Sequence, residues 1–341
     1  MSVTAPHPPL ARRIKQRTRR QLSMLASRAR LRPLDRRPVP HAPGELRLFA
    51  MARNEALRLP WFLDWYTRQG VDRIFLIDNG STDATVDIAR AHPHVHVYRT
   101  SESFTHYSNW MEVMLARYGR GHWCVAADLD EIFWYPGVED TGLATLCAWL
   151  DRQGHTAVPA VLLDMYSDRA IRDNAYRPGQ DPREVCAWFD PLFECAVKQW
   201  PNPDTFERFP FMRYSGNLRR RLFGADVNLS KVPLFRFGPG VFPARGMHAM
   251  DGVNVSSLRG VVLHYKYLQD FGTRVVEEAA RGQHEGGARD YRRYAARVTE
   301  DDALNCHHEG SVRLESSEQL VQLGLMSDPA SWASWRAGAR A

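Results

Sequence analysis

Trp123-Cys124-Val125-Ala126-Ala127-Asp128-Leu129-Asp130-Glu131 is the stretch on which the reading of this 341-residue chain turns. Its apolar opening suits a strand buried on both faces. The acids that follow repel one another unless a cation draws them together. Hard cations such as Mg²⁺ or Mn²⁺ take carboxylate oxygens, commonly one or two of them, with phosphate and water completing the shell. Two earlier segments share this build. Residues 46–52 form an apolar run followed by Arg53-Asn54-Glu55, and Arg73-Ile74-Phe75-Leu76-Ile77 ends at Asp78-Asn79-Gly80-Ser81-Thr82-Asp83.

Helical periods separate these strands. Over residues 59–69, Phe62, Trp65 and Tyr66 recur at helical spacing, Pro60 fits the first turn and Gly70 closes the helix. Ser81 is the expected cap of a helix through Arg90, with Asp83 in its first turn. A strand follows at 94–99, a helix at 107–118, a helix at 141–152 and a strand at 157–163 that ends at Asp164. Strands alternating with helices imply an α/β fold with right-handed crossovers, a mostly parallel sheet and flanking helices. The carboxyl ends of such strands form the ligand-binding rim, so the polar groups should gather there.

Between 164 and 263 the helical period gives way to Pro, Gly, Arg and aromatic residues, as expected of irregular loops and short antiparallel strands. A last strand is expected over 260–267. Residues 271–341 read as a helical C-terminal extension, helical over 275–297 with a break at Gly286-Gly287.

Hydrophobic residues make up 44% of the chain and charged residues 25%, which excludes a wholly disordered chain. The net charge of +6 is uneven. Residues 1–43 carry ten arginines and Lys15 against Asp35 alone, a net of +10 that leaves −4 for the remainder. A basic, poorly ordered N-terminal arm is therefore expected, and a nucleic-acid surface across the body is not. The arm reads either as a solvated tail or as a peripheral contact with anionic membrane. No run approaches the ~20 apolar residues of a membrane span. No C-x-x-C pair occurs among the five cysteines, and no secretory signal is evident. The expected location is cytoplasmic, with the inner membrane face as a peripheral site.

Met51-Ala52-Arg53-Asn54-Glu55, Leu59-Pro60-Trp61-Phe62-Leu63-Asp64-Trp65-Tyr66, the Asp78–Asp83 segment and Asp128-Leu129-Asp130-Glu131 together resemble the family 2-like glycosyltransferases, in particular the bacterial branch that shares features with family 92 enzymes. Residues 215–221, 231–235 and 263–267 look similar to that branch as well. The resemblance implies a GT-A domain over 44–270, with a nucleotide-binding half (46–135) and an acceptor half (136–270). It also implies a divalent cation, a nucleotide-sugar donor, a glycan or glycolipid acceptor, and inversion at the transferred carbon.

Carried over residue by residue, it assigns Asp128, Asp130 and His264 to the metal, with His248 competing for the histidine role. Arg53, Asn54, Glu55, Asp78 and Asp128 fall to the donor. Arg219, Arg221, Lys231 and Lys266 are candidate partners of its diphosphate, where a guanidinium fork suits phosphate. Asp164, Asp190, Glu194 and Asp251 are unranked candidates for the base that takes the acceptor proton. Where the family usually has Asp-Asp after the second strand, this chain has Asp78-Asn79. Two readings compete with a metal-dependent, inverting glycosyltransferase of polysaccharide assembly. One is a non-catalytic sugar-nucleotide-binding protein; the other is a nucleotidyltransferase, which usually has a Gly-rich basic loop where this chain has 52–55.

Overall fold

The computed structural model describes residues 9–35, 37–40 and 42–339. In chain order, α1 (Leu10–Arg30) and the short β1 (Arg32–Pro33) precede β2 (Leu46–Ala52), α2 (Leu59–Arg68), β3 (Arg73–Asp78), α3 (Thr85–Ala91) and β4 (Val95–Arg99). Then come α4 (Tyr107–Met114), β5 (Trp123–Ala126), β6 (Glu131–Trp134), α5 (Leu143–Gln153) and β7 (Ala157–Tyr166). The second half adds β8 (Trp188–Phe189), β9 (Glu194–Pro201), β10 (Arg208–Ser215), α6 (Asn217–Phe223), β11 (Ser230–Arg236), β12 (Phe242–Pro243), β13 (Met250–Asp251) and β14 (Gly260–His264). It closes with α7 (Phe271–Arg281), α8 (Glu285–Glu300), β15 (Val312–Arg313), α9 (Ser317–Gln322) and α10 (Ala330–Ala339).

Burial on both faces explains the unbroken apolar strands. Leu46, Leu48 and Ala50 of β2 face one core with Phe62, Leu63 and Tyr66 of α2, whereas Phe49 faces a second core with Trp110 and Met111 of α4. β3 divides in the same way, Ile74 and Leu76 to the first core, Phe75 and Ile77 to the second. Each large side chain so buried contributes ~1.5–3 kcal/mol relative to exposure.

The main sheet runs β1-β4-β3-β2-β5-β11-β7-β14-β6, with β8 on β7 and β15 on β8. β2, β3, β4 and β5 are mutually parallel, as are β7 and β14. β11 lies antiparallel between β5 and β7, so β7 points the same way as β5. β6 is antiparallel to β14. The carboxyl ends of six strands and the starts of β6 and β11 therefore meet at one rim. A mixed α/β fold around a mainly parallel central sheet follows.

One local expectation is corrected. The helix expected from Ser81 begins at Thr85. Asp78 Oδ1 accepts the Ser81 N–H at 3.0 Å, and the Ser81 hydroxyl accepts the Asn54 N–H, which leaves Ser81 no capping role. β11 is an antiparallel strand, as expected in this stretch, but it inserts into the main sheet between β5 and β7, which Lys231 and Pro233 disguised in the sequence. The ladder shifts register between Lys231 and Leu234, where proline cannot donate a hydrogen bond.

Over its described residues the N-terminal arm holds α1, in the stretch 12–30 whose sequence could form a helix, packed on the body. Its inward side chains find partners: Arg20 pairs with Glu112, Arg30 with Glu102 at 2.7 Å, and Asn109 Nδ2 donates to Ser23 Oγ at 2.7 Å. β1 covers β4, an edge strand, and Arg37 donates to the carbonyls of His92, Pro93 and Val95. Among the described residues, no helix is long and apolar enough to cross a membrane.

Candidate active site

The loops after β2 and β3 are stitched together before any ligand is considered. Asn54, at a left-handed φ of 53°, accepts the Thr82 N–H on Oδ1 at 2.8 Å. Glu55 N donates to Thr85 Oγ1 and Ala56 N to Asp83 Oδ2. Arg53 Nη1 donates to the Asn79 carbonyl at 2.9 Å. The polar residues of both motifs thus shape one loop pair. Asp78 is fully buried at its base, with Oδ2 receiving Arg99 Nε at 2.7 Å.

The acid cluster divides at buried Leu129. On one side, Asp128 keeps 55% of its side-chain surface open, 4.0 Å from Lys231 Nζ. Lys231 is itself committed to buried Glu131 at 2.6 Å. Surrounding protein, then Glu131 and Asp130, push the Asp128 carboxyl up, even though water reaches it. On the other side, Asp130 Oδ2 lies 3.3 Å from His264 Nε2.

His264 sits between two acids. In sheet register it faces Asp164 of β7 and Glu131 of β6. Its Nδ1 lies 2.6 Å from Asp164 Oδ1, and Arg219 grips Asp164 through Nε and Nη2, both at 2.7 Å. Burial opposes charge on every member. Arg219 and His264 nevertheless hold Asp164 well below the ordinary carboxylate range, and His264 holds Asp130 well below it. Asp130 and Asp164 in turn raise His264 despite its burial. The result is a row, Asp130–His264–Asp164–Arg219, whose imidazole is oriented by a carboxylate.

Other expected residues fall elsewhere or are already engaged. Asp164 is locked in its ion pair, so it is a weak proton acceptor. Asp190 is buried near Arg221 (4.0 Å) and His308 (3.4 Å). Glu194 is an exposed hairpin residue paired with Arg220, and Asp251 accepts from Asn202 in the β12–β13 ribbon. Arg219 is committed to Asp164, and Arg221 donates to the Cys306 carbonyl. Lys266 lies over the Tyr291 and Tyr294 rings at 4.4 and 5.1 Å, its pKa lowered by burial. His248 is held neutral, pushed down to about 3 by burial and then by Lys231, and its Nδ1 faces the Ser230 carbonyl. Among the described residues, no three His, Cys, Asp or Glu side chains are arranged to hold a metal ion.

Sequence reasoning missed the contribution of α7. Arg274 forks onto Glu55, Arg281 bonds the Asn79 side chain, and Asp270 receives both terminal nitrogens of Arg58 at 2.7 Å. These pairs join residues about 200 positions apart, and only the charged, helical character of 275–297 hinted at them. Arg245, bonded to Tyr107 near Asp128, carried no signal at all.

Residues 50–136 match the family model described as "Glycosyl transferase family 2". No curated protein matches the chain. Similar solved structures include 4-diphosphocytidyl-2C-methyl-D-erythritol synthase, 14% identical over 40% of this chain and 66% of that one, TM-score 0.26. They also include glucosyl-3-phosphoglycerate synthase from Mycobacterium tuberculosis in complex with Mn²⁺, uridine diphosphate and glucosyl-3-phosphoglycerate, 17% identical over 40% of this chain and 52% of that one, TM-score 0.24. The chain thus spans less than two thirds of either protein. What this chain shares with the glycosyl transferase family 2 model is thus confined to residues 50–136, which run from within β2 to just past β6.

Proposed function

We propose that the protein transfers a sugar from a nucleoside diphosphate donor to a hydroxyl of a glycan or glycolipid acceptor, with inversion. The observation that carries this reading is the meeting of Asp130 and His264 at the carboxyl rim of a sheet whose first half matches a glycosyltransferase family. Asp130 and His264 are the two protein groups that would hold a divalent cation of the Mn²⁺ or Mg²⁺ type, with donor phosphate and water completing its shell. His264 Nδ1 is committed to Asp164, so Nε2, now paired with Asp130 Oδ2, is the edge a cation would take up between the two. Bound there, a cation would offset the negative charge that grows on the departing diphosphate.

The chain's own residues do the rest. Asp164 and Arg219 hold the imidazole in place, which makes both positioning residues. Lys231 and Glu131 brace the backbone and side chain of Asp128. Asp78 and the 53–55 loop form the floor for the nucleoside. In the transfer, the bond from the anomeric carbon to the diphosphate oxygen breaks as the acceptor oxygen attacks from the opposite face. The acceptor proton passes to a carboxylate. Asp190, Glu194 and Asp251 remain the candidates for that base, since the Arg219 ion pair makes Asp164 a weak proton acceptor. The closer kinship with the branch sharing features with family 92 enzymes belongs to this proposal too.

The test is release of nucleoside diphosphate from a panel of nucleotide-sugars, with water or added glycans as acceptor, in the presence of Mn²⁺. Wild type is expected to turn over at least one donor, and Asp130→Asn to lose at least ~10²-fold, the scale of removing one electrostatic stabiliser. Donor binding without any release, across the whole panel, would favour the non-catalytic binding protein. Release of inorganic pyrophosphate from a nucleoside triphosphate would favour the nucleotidyltransferase.

A further inference from the structure

The helix α1 is built the wrong way round for a segment that merely packs on the body. Its inward face is polar: Arg20 pairs with Glu112, Arg30 with Glu102, Ser23 and Ser27 meet Asn109, and Arg13 and Arg17 lie over the Phe206 ring at 5.1 and 5.3 Å. Its outward face carries four exposed apolar side chains, with Thr18 and Gln21 between them. Leu10, Ile14, Leu22 and Leu25 are 71, 57, 62 and 60% exposed. At 100° per residue they fall within an arc of about 120° opposite the docked side. Lys15 and Arg19 lie beyond this arc on one side, and Arg28 lies in line with Leu10 at its other edge. All three are exposed, and none has an ion-pair partner among the described residues.

We propose that this face of α1 docks the protein on an anionic lipid surface, the stripe entering the headgroup boundary and Lys15, Arg19 and Arg28 meeting lipid phosphates. An exposed apolar stripe flanked by cations is the arrangement of an interfacial helix, for which apolar burial and electrostatic attraction each supply part of the affinity. Charge complementarity selects the occupant. Residues 1–43 carry a net +10 while the rest of the chain carries −4. A second copy would bring two such basic faces together, whereas an anionic bilayer neutralises one. The docked helix also neighbours the rim: Glu102, which anchors Arg30, accepts the Asn79 amide through its backbone carbonyl at 2.9 Å. The inference stands on exposure and charge and does not depend on the reaction proposed above.

Co-sedimentation of the full chain with phosphatidylcholine vesicles, with and without about one-third phosphatidylglycerol, at low and high salt, tests it. Binding is expected only to the anionic vesicles and should weaken with salt. Replacing Lys15, Arg19 and Arg28 by Gln should lower the low-salt partition about fivefold per cation. Ile14→Gln/Leu22→Gln/Leu25→Gln should lower it more than ~10-fold at either salt. All six side chains point to solvent, so circular dichroism and donor hydrolysis should stay at wild-type values in both variants. No vesicle binding by wild type, or binding that the apolar variant retains, would overturn the proposal. So would a wild-type dimer in sedimentation velocity that this variant converts to monomer without vesicle binding, since the stripe would then be a self-association face.

Discussion

Asp164 shows how far a residue's chemistry is set by its partners. Read in sequence it was one acid among four candidates for proton transfer. In the fold it is gripped by the Arg219 fork and bonded to His264, which makes it an orienting carboxylate. Breaking one side of a buried ion pair leaves an uncompensated charge. Asp164→Leu should therefore cost about 3–5 kcal/mol in urea unfolding. The double variant Asp164→Leu/Arg219→Met should regain most of that stability, since apolar replacement of a whole buried pair is often neutral. Donor turnover should remain low in the double variant, because His264 loses the carboxylate that orients it. Recovery of both stability and turnover would mean the pair has no positioning role.

At the scale of elements, legibility followed burial. β2, β3 and β5 were readable because helices cover both faces and force continuous apolar runs. β11 was not, because Lys231 and Pro233 interrupt its pattern and its bulge exists only against β7. The docking of α1 was equally hidden, since it depends on acids far along the chain. Glu102 is the clearest of these. Burial would raise its pKa, but hydrogen bonds from Arg30, Trp110 and Ser27 outweigh burial and lower it. A depressed folded value contributes stability that is complete above the unfolded value near 4.3 and disappears as pH falls through the folded one. Hydrogen exchange over residues 10–30 should therefore accelerate on acidification below about pH 4. At neutral pH, Glu102→Ala should cost about 1.5–3 kcal/mol and loosen the same residues. Protection of α1 that is independent of both pH and this substitution would show that other contacts hold it.

For the molecule as a whole, sequence order scatters what the sheet collects. Asp78 and His264 end parallel strands, Asp164 lies near the end of β7 and Asp128 just beyond β5, while Glu131 and Lys231 lie at the starts of strands running the other way, and topology alone brings them to one rim. The acid-ended strands of the first half were legible because each motif is local. The arginines of α7 were not, because Arg274–Glu55 and Arg281–Asn79 close only when the chain has folded back on itself. With two loops and a helix converging there, binding of a nucleoside diphosphate is the property every other claim about the rim requires. Calorimetric titration of a panel of nucleoside diphosphates, with and without Mn²⁺, measures it directly. Wild type should bind at least one of them about tenfold or more tightly with Mn²⁺, and Asp130→Asn should abolish that gain while keeping the wild-type fold. Absence of binding across the panel, or a Mn²⁺ gain that survives Asp130→Asn, would contradict the account.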